Sequence, residues 1–379
     1  MNSNQALSTR ILDIQCISKQ EQLYCGWPTL ARRRNGEILA ACSGNRHYHV
    51  CPYGRILLFR SHDMGVTWRQ PATLSCGPND DRDGGIIETQ DGLLVLTWFS
   101  SLAYNKYLQS EKFPFTDHLP DSEASKMPGR ERKEWERVRD SRSDSARLSE
   151  LGCYASISED GGLTWSEKVD TVVHSPHGPI SLSDGRLFYA GRFRKYGEIG
   201  INNSPFDIRI GAAESLDGGK TWRKLSEIAP MVGHHGTYYC ELHAVEAADG
   251  RIVVHIRNNR EAPENEILQT QSFDGGRTWE AVRSTGIWGY PSHLIRLRDN
   301  RLLASYSHRR DPMGNSFLLS EDHGQSWTKP ILLTRSEGND FGYPSTVELE
   351  DNQFLTLWYE RKPEEQFAGL YLARWEFCD

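Results

Sequence analysis

The sequence predicts an all-β chain folded as a six-bladed β-propeller, and three observations carry that prediction. First, an octet of the form Ser-x-Asp-x-Gly-x-Thr/Ser-Trp occurs five times, at 61–68, 158–165, 215–222, 272–279 and 320–327. Second, the octets begin 97, 57, 57 and 48 residues apart. Setting aside a charged stretch at 104–150 brings the long interval to about 50 residues, the period of a four-stranded propeller blade. Third, a unit made of an aromatic or glycine opening, an apolar run, a turn and a second apolar run occurs six times. It reads GWPTLARRRNGEILAAC at 26–42, GYPSHLIRLRDNRLLASY at 289–306 and GYPSTVELEDNQFLTLWY at 342–359, with similar units from Gly84, Gly178 and Cys240.

Each octet reads as a tight turn. Asp63, Asp160, Asp217, Asp274 and Asp322 can accept bonds from the turn's own amides. The glycines Gly65, Gly162, Gly219, Gly276 and Gly324 supply positive φ, and the closing tryptophans bury a large face against the sheet. Six units against five octets leave the last blade without its own outer strand. The alternating stretch Thr9–Ile17 is expected to fill that place, closing the ring and removing its open edge. The whole chain, 1–379, is then one domain. Residues 104–150 form a charged insertion in blade two, helical around Arg130–Leu148, where Pro128 and Gly129 precede charges alternating at helical spacing. Over the site it would serve as a lid, a substrate wall or a surface for self-association.

A net charge of −7 argues against a nucleic-acid or acidic-membrane partner. No apolar run reaches the roughly 18 residues of a membrane span, and Met1 to Lys19 lacks the apolar core of a secretory leader. The expectation is a cytoplasmic protein, with a secreted or periplasmic chain already trimmed of its leader as the alternative. The eight cysteines are scattered without a CxxC pair, so reduced thiols and no metal or other cofactor are expected.

Antiparallel order puts the loops between second and third strands, and the openings of the first strands, on the face opposite the octets. That face gathers Arg46, His47 and His49, then Arg82 and Asp83, then His177, then Tyr238, Glu241 and Arg257, then Tyr290, His293, Arg309 and Arg310, and lastly Tyr343. Arginines from several blades converging on one mouth of an acidic chain point to a carboxylate-bearing ligand, which a guanidinium grips with two parallel bonds. Glu241 and Arg257 lie at the same end of neighbouring strands, and Tyr343 opens the last blade. A tyrosine becomes a nucleophile only beside a base, and a carboxylate is one.

With these residues in view, the sequence resembles the sialidase (neuraminidase) superfamily, whose Asp-box (BNR) repeats the octets match over nearly the whole chain. The resemblance implies hydrolysis of a terminal acidic sugar through a tyrosyl intermediate, without metal. It implies Tyr343 as nucleophile, Glu241 as its base, and Arg257 with Arg309 or Arg310 from SHRRDP as arms of an arginine triad. Tyr343 is followed by the family-like LWYE at 357–360. The N-terminal half departs from the pattern. Cys25-Gly26-Trp27-Pro28 stands where the first triad arginine belongs, and Gly44–His49 lacks the acid's carboxylate. Arg46 is a replacement for the arginine; His47 or His49 stands in for the acid, with Asp81 or Asp83 as the other candidates. Arg82, His177, Tyr238, Tyr290 and His293 complete the expected substrate contacts.

Two other readings compete. On the same fold a histidine could drive a uronate-directed glycosidase or a polysaccharide lyase, one group abstracting a proton while another protonates the leaving oxygen. A propeller that binds glycans without catalysis is the third. The expected partner in all three is a glycan carrying an acidic sugar.

Overall fold

The computed structural model describes residues 8–19, 23–75, 77–110, 127–193, 209–260, 265–338, 340–350 and 352–378. Cys76, Arg194 and the middle of the 104–150 stretch lie outside them. The chain is mostly β and forms six sheets in a propeller arrangement. Blade one is Tyr24–Arg32, Ile38–Arg46, Arg55–Ser61 and Ala72–Thr73. Blade two is Asp80–Glu88, Leu94–Ser101, Cys153–Ser158 and Val169–Asp170. In blade three, Val173–His174 and Ile180–Ser181 both pair with Leu187–Phe193, followed by Ile210–Ser215 and Arg223–Ile228. Blade four runs Tyr239–Glu246, Ile252–Asn258, Glu266–Ser272 and Arg283–Trp288, and blade five Ser292–Arg296, Leu302–His308, Gly314–Ser320 and Ile331–Arg335. Blade six takes Phe341–Glu348, Gln353–Glu360 and Gly369–Cys378 from the C-terminal end and Ser8–Cys16 from the N-terminal end. That last strand pairs antiparallel with Gly369–Cys378, from Ser8 opposite Cys378 to Cys16 opposite Tyr371, so the expected closure by Thr9–Ile17 is present within a residue at each end.

The octets build turns as their residue types dictate. In the second, Asp160 Oδ1 accepts from the Leu163 and Thr164 amides at 3.0 and 2.9 Å and Oδ2 from the Thr164 hydroxyl at 2.6 Å, while Ser158 Oγ accepts from the Gly162 amide at 2.7 Å. Asp63, Asp217, Asp274 and Asp322 repeat these bonds. The four or five donors hold the carboxylates of Asp160 and Asp274 well below the usual range, with the threonine hydroxyl as the largest cause.

Each octet tryptophan packs into the apolar seam with the preceding blade. Trp68 packs on a cluster that includes the blade six residues Leu355 and Leu357, Trp165 on one that includes Leu39 and Leu58 of blade one, and Trp222 on one that includes Val95 and Ile157 of blade two. Trp279 and Trp327 fill the next two seams. The seam between blades five and six has no octet tryptophan. Trp375, fully buried, takes that place from the third strand of blade six, stacked on Phe317 and Phe354 with ring centres 5.1 and 4.4 Å away. The sixth blade needs no octet because another indole fills the same kind of space.

Between Leu94–Ser101 and Cys153–Ser158 the described residues form three helices, Asn105–Ser110, Gly129–Asp140 and Asp144–Ser149. The single helix expected over 130–148 is broken in two. Ser143 turns extended and its side chain caps the last helix, accepting from the Ala146 amide at 3.2 Å. No helix among the described residues is long and apolar enough to cross a membrane. The described cysteines are free thiols.

Candidate active site

The inner strands open in a common way. Trp27, Asp83, His177, Glu241 and Tyr343, one in each of five blades, sit at φ of 54, 55, 69, 51 and 57°. In four of these blades the pairing register slips at this point, between Gly26 and Thr29, Arg82 and Gly85, Cys240 and Leu242, and Gly342 and Ser345. A bulge of this kind re-aims one side chain out of the sheet's alternation. Left-handed backbone at a non-glycine residue costs on the order of 1–3 kcal/mol and persists where the surroundings over-determine it. The glycines beside these residues are required by close approach. A Cβ on Gly85 would come within 2.5 Å of the Gly178 backbone, and one on Gly342 within 2.9 Å of Arg309 Nη2.

The structure brings Tyr343, Glu241 and Arg257 into one triangle. The Tyr343 hydroxyl donates to Glu241 Oε1 at 2.6 Å, Arg257 Nη1 donates to Glu241 Oε2 at 2.5 Å, and the same Nη1 donates to the phenol oxygen at 3.1 Å. Arg257 Nε is held by Asn259 Oδ1 at 2.9 Å. Burial, then the Glu241 charge, push the Tyr343 pKa well above that of a free phenol, with Arg257 opposing. The phenol therefore keeps its proton at rest, directed at the carboxylate. Arg257 is half-buried; desolvation opposes its charge, yet Glu241 more than offsets this and keeps the guanidinium charged.

Arg309 joins this group and Arg310 does not. Arg309 is half-buried, its Nη2 reaching the Tyr359 hydroxyl at 3.4 Å, and both Arg257 and Arg309 lie over the ring of Tyr290, at 4.2 and 5.5 Å. Arg310 is exposed, laid over Trp288 at 4.1 Å and bonded to Asn265. Arg46 lies over the Trp27 ring at 5.0 Å but is paired within the chain. Its side chain has no exposed surface; Nη2 bonds both Asp80 oxygens at 2.6 and 2.7 Å, and the Tyr48 and His49 carbonyls take further donors. The structure thus places Arg46 on Asp80 and not in the group formed by Arg257 and Arg309.

Arg82 and Asp83 lie near the start of Asp80–Glu88, the inner strand of blade two. Arg82 lies over the indole at 4.7 Å, and the indole meets Tyr343 edge-on with ring centres 6.3 Å apart. Asp83 is buried, its amide donating to Ser43 Oγ at 2.8 Å, and its charge is among those that raise the Tyr343 pKa. His49 stands edge-on to Trp27 at 4.8 Å. Burial, then Arg82, Arg46, Arg309 and Arg257, hold its pKa well below the usual imidazole value, so it is neutral near pH 7. His47 is held apart from this group: its Nδ1 is 3.3 Å from Glu131 Oε1 and 3.0 Å from the Tyr53 hydroxyl. Tyr238 is exposed at the rim with Arg260 over its ring.

His177 and His293 belong to a buried trio whose third member, His243, sequence reasoning missed. The ring centres lie 4.7 to 5.6 Å apart, and His293 Nδ1 accepts from the Thr346 amide at 3.2 Å. Burial holds all three neutral. His243 sits two residues after Glu241, where strand alternation makes it look like core; Trp27 was missed as a site residue because an indole at an apolar opening reads as packing. No group of three His, Cys, Asp or Glu among the described residues is arranged to hold a metal ion.

Comparison with known proteins follows the same lines. The profile of the BNR repeat-like domain matches residues 150–355. A sialidase of Bacteroides fragilis is 25% identical over 227 residues, which are 54% of this chain and 38% of that protein. A sialidase of Micromonospora viridifaciens is 23% identical over 368 residues, 91% of this chain and 51% of that protein. The chain thus spans about half, or less, of the curated relatives it matches. A crystal structure of a protein of unknown function from Dyadobacter fermentans superposes with a TM-score of 0.75 at 21% identity, covering 98% of this chain and 99% of that one. The chain belongs to the BNR repeat-like domain family, within the sialidase-like superfamily.

Proposed function

We propose that the protein is a sialidase-like exo-glycoside hydrolase that releases a terminal acidic sugar, a sialic acid or a related one, from glycans. The observation that carries this reading is the Tyr343–Glu241–Arg257 triangle, with bonds of 2.6, 2.5 and 3.1 Å. A binding site has no need for a phenol aimed at a carboxylate. In the reaction Tyr343 attacks the anomeric carbon while its proton passes to Glu241. Asp83 gives a proton to the departing glycosidic oxygen. Water then cleaves the tyrosyl–sugar bond, with Asp83 taking its proton and Glu241 returning one to the phenol, so configuration is retained. Arg257 and Arg309 hold the sugar's carboxylate. Asp83 is assigned as acid over His49 because burial, and then four guanidiniums, keep His49 in its neutral form.

The chain is read as one domain over 1–379, with 104–150 an insertion of blade two whose described residues, 104–110 and 127–150, stand as a wall beside the mouth. This is supported by Trp135, fully buried against Val50, Cys51 and Tyr104, and by Glu131, which bonds Tyr53 at 2.7 Å and faces His47.

The test supplies α-linked sialosides and uronides and identifies the released monosaccharide by mass. Release of an acidic sugar by the wild type and none by Tyr343→Phe supports the reading; wild-type turnover in Tyr343→Phe ends it. The neutral imidazole of His49 favours a second reading, elimination from a uronate with His49 as base. An unsaturated product absorbing in the near ultraviolet, lost in His49→Ala, would identify it.

A further inference from the structure

Two half-buried arginines in this mouth each keep a buried Nε without an acceptor. Arg309 makes one long bond, to a phenol, and its Nε is buried with no hydrogen-bond partner. Arg82 is in the same condition. Its side chain is 11% exposed, its Nε is buried without a partner, and its nearest carboxylate oxygen, on Asp80, is 3.8 Å away. Both oxygens of that carboxylate already accept from Arg46. Burying a charge without paired acceptors is costly, and native structures seldom leave such donors unsatisfied. An anion reaching both would relieve them, and the two stand on either side of Tyr343: Arg82 lies over Trp27, whose indole meets the Tyr343 ring edge-on, and Arg309 Nη2 lies against Gly342, the residue before Tyr343.

We propose that Arg82 is the third arm of the carboxylate clamp, working with Arg257 and Arg309, so that the acid is gripped from blades two, four and five. Trp27 makes this arrangement. Its indole fills the blade-one position beside Tyr343 and gives the Arg82 guanidinium a π-face to rest on at 4.7 Å. Blade one thus supplies the support and blade two the charge, and the clamp is displaced toward Asp83. The inference rests on the acidic-sugar reading above and names the residue that selects for the acid.

The experiment is calorimetric titration of N-acetylneuraminic acid and glucuronic acid, each against its methyl ester, into wild type, Arg82→Gln and Arg82→Lys. A charge-assisted, two-pronged contact predicts that Arg82→Gln loses about 10- to 100-fold in affinity for the acid and changes the ester within about twofold. Arg82→Lys, which keeps the charge and loses the fork, should fall between. A purely structural arginine would weaken both ligands alike, so an acid-to-ester ratio equal to wild type in Arg82→Gln overturns the proposal. If that variant does not fold, an unchanged ratio in Arg82→Lys overturns it. Failure of both acids to bind wild type overturns this proposal together with the acidic-sugar reading; binding and Tyr343-dependent turnover with an unchanged ratio overturn this proposal alone.

Discussion

The phenol of Tyr343 and the carboxylate of Glu241, 102 residues apart in the chain, meet at 2.6 Å, each on a left-handed residue at the start of an inner strand. Two separate bulges aim the pair, so neither rotates into place alone. Tyr343→Phe and Glu241→Gln should each lower kcat by about 10²–10⁴-fold. Removing the phenol's bond should cost only about 1 kcal/mol of stability, read by denaturant unfolding.

His177, His243 and His293 are buried and neutral, and burial likewise lowers His255 to about 3. Their folded pKa values lie below the unfolded value of about 6.5, so protons bind more readily to the unfolded chain. The stability they confer is present above that pH and is lost as pH falls. Each should contribute a slope of about 1.4 kcal/mol per pH unit below pH 6.5. Thermal melts between pH 7 and 5 should show it, before the octet aspartates titrate, and His293→Asn should flatten it.

The octet carboxylates have the same sign and a lower window. Asp160 and Asp274 are held charged by their turn donors, so their contribution persists above about pH 4 and vanishes below it. Asp160→Asn should weaken the fold at neutral pH and leave catalytic constants unchanged, since the turn lies on the face opposite Tyr343.

Trp375 fills the seam that has no octet. Trp375→Ala should cost about 3–5 kcal/mol by urea unfolding. Its indole is wholly enclosed and bonded to Thr356 Oγ1 at 2.9 Å, whereas the octet indoles remain partly accessible and should cost less.

Removing residues 1–17 uncovers the edge of Gly369–Cys378. An open edge recruits strands from other molecules. The shortened chain should melt lower and elute at a concentration-dependent size in gel filtration.

Much of this was legible because it is local or periodic. The octets encode turns within eight residues, and the six units fix the blade order. Glu241, Arg257 and Tyr343 could be placed because each lies at a defined end of a strand. What was hidden depends on packing. Arg46 and Arg82 look alike in the chain, and only the position of Asp80 decides which is spent in the scaffold. Arg309 and Arg310 are neighbours pointing opposite ways, and the turn that orients them leaves no sequence mark. The helix over 130–148 broke at Ser143 because a serine that caps a new helix also interrupts an old one, and alternating charge does not register that.

Blade six is knit from both ends of the sequence, and that has a temporal meaning. During synthesis Ser8–Cys16 leaves the ribosome first and must wait for Gly369–Cys378, its hydrogen-bonding mate. Tyr343, from the last blade, faces Trp27, from the first, across the joint that this pairing seals. The side-by-side setting of Tyr343 and Trp27 is therefore completed only once Gly369–Cys378 has been made and paired.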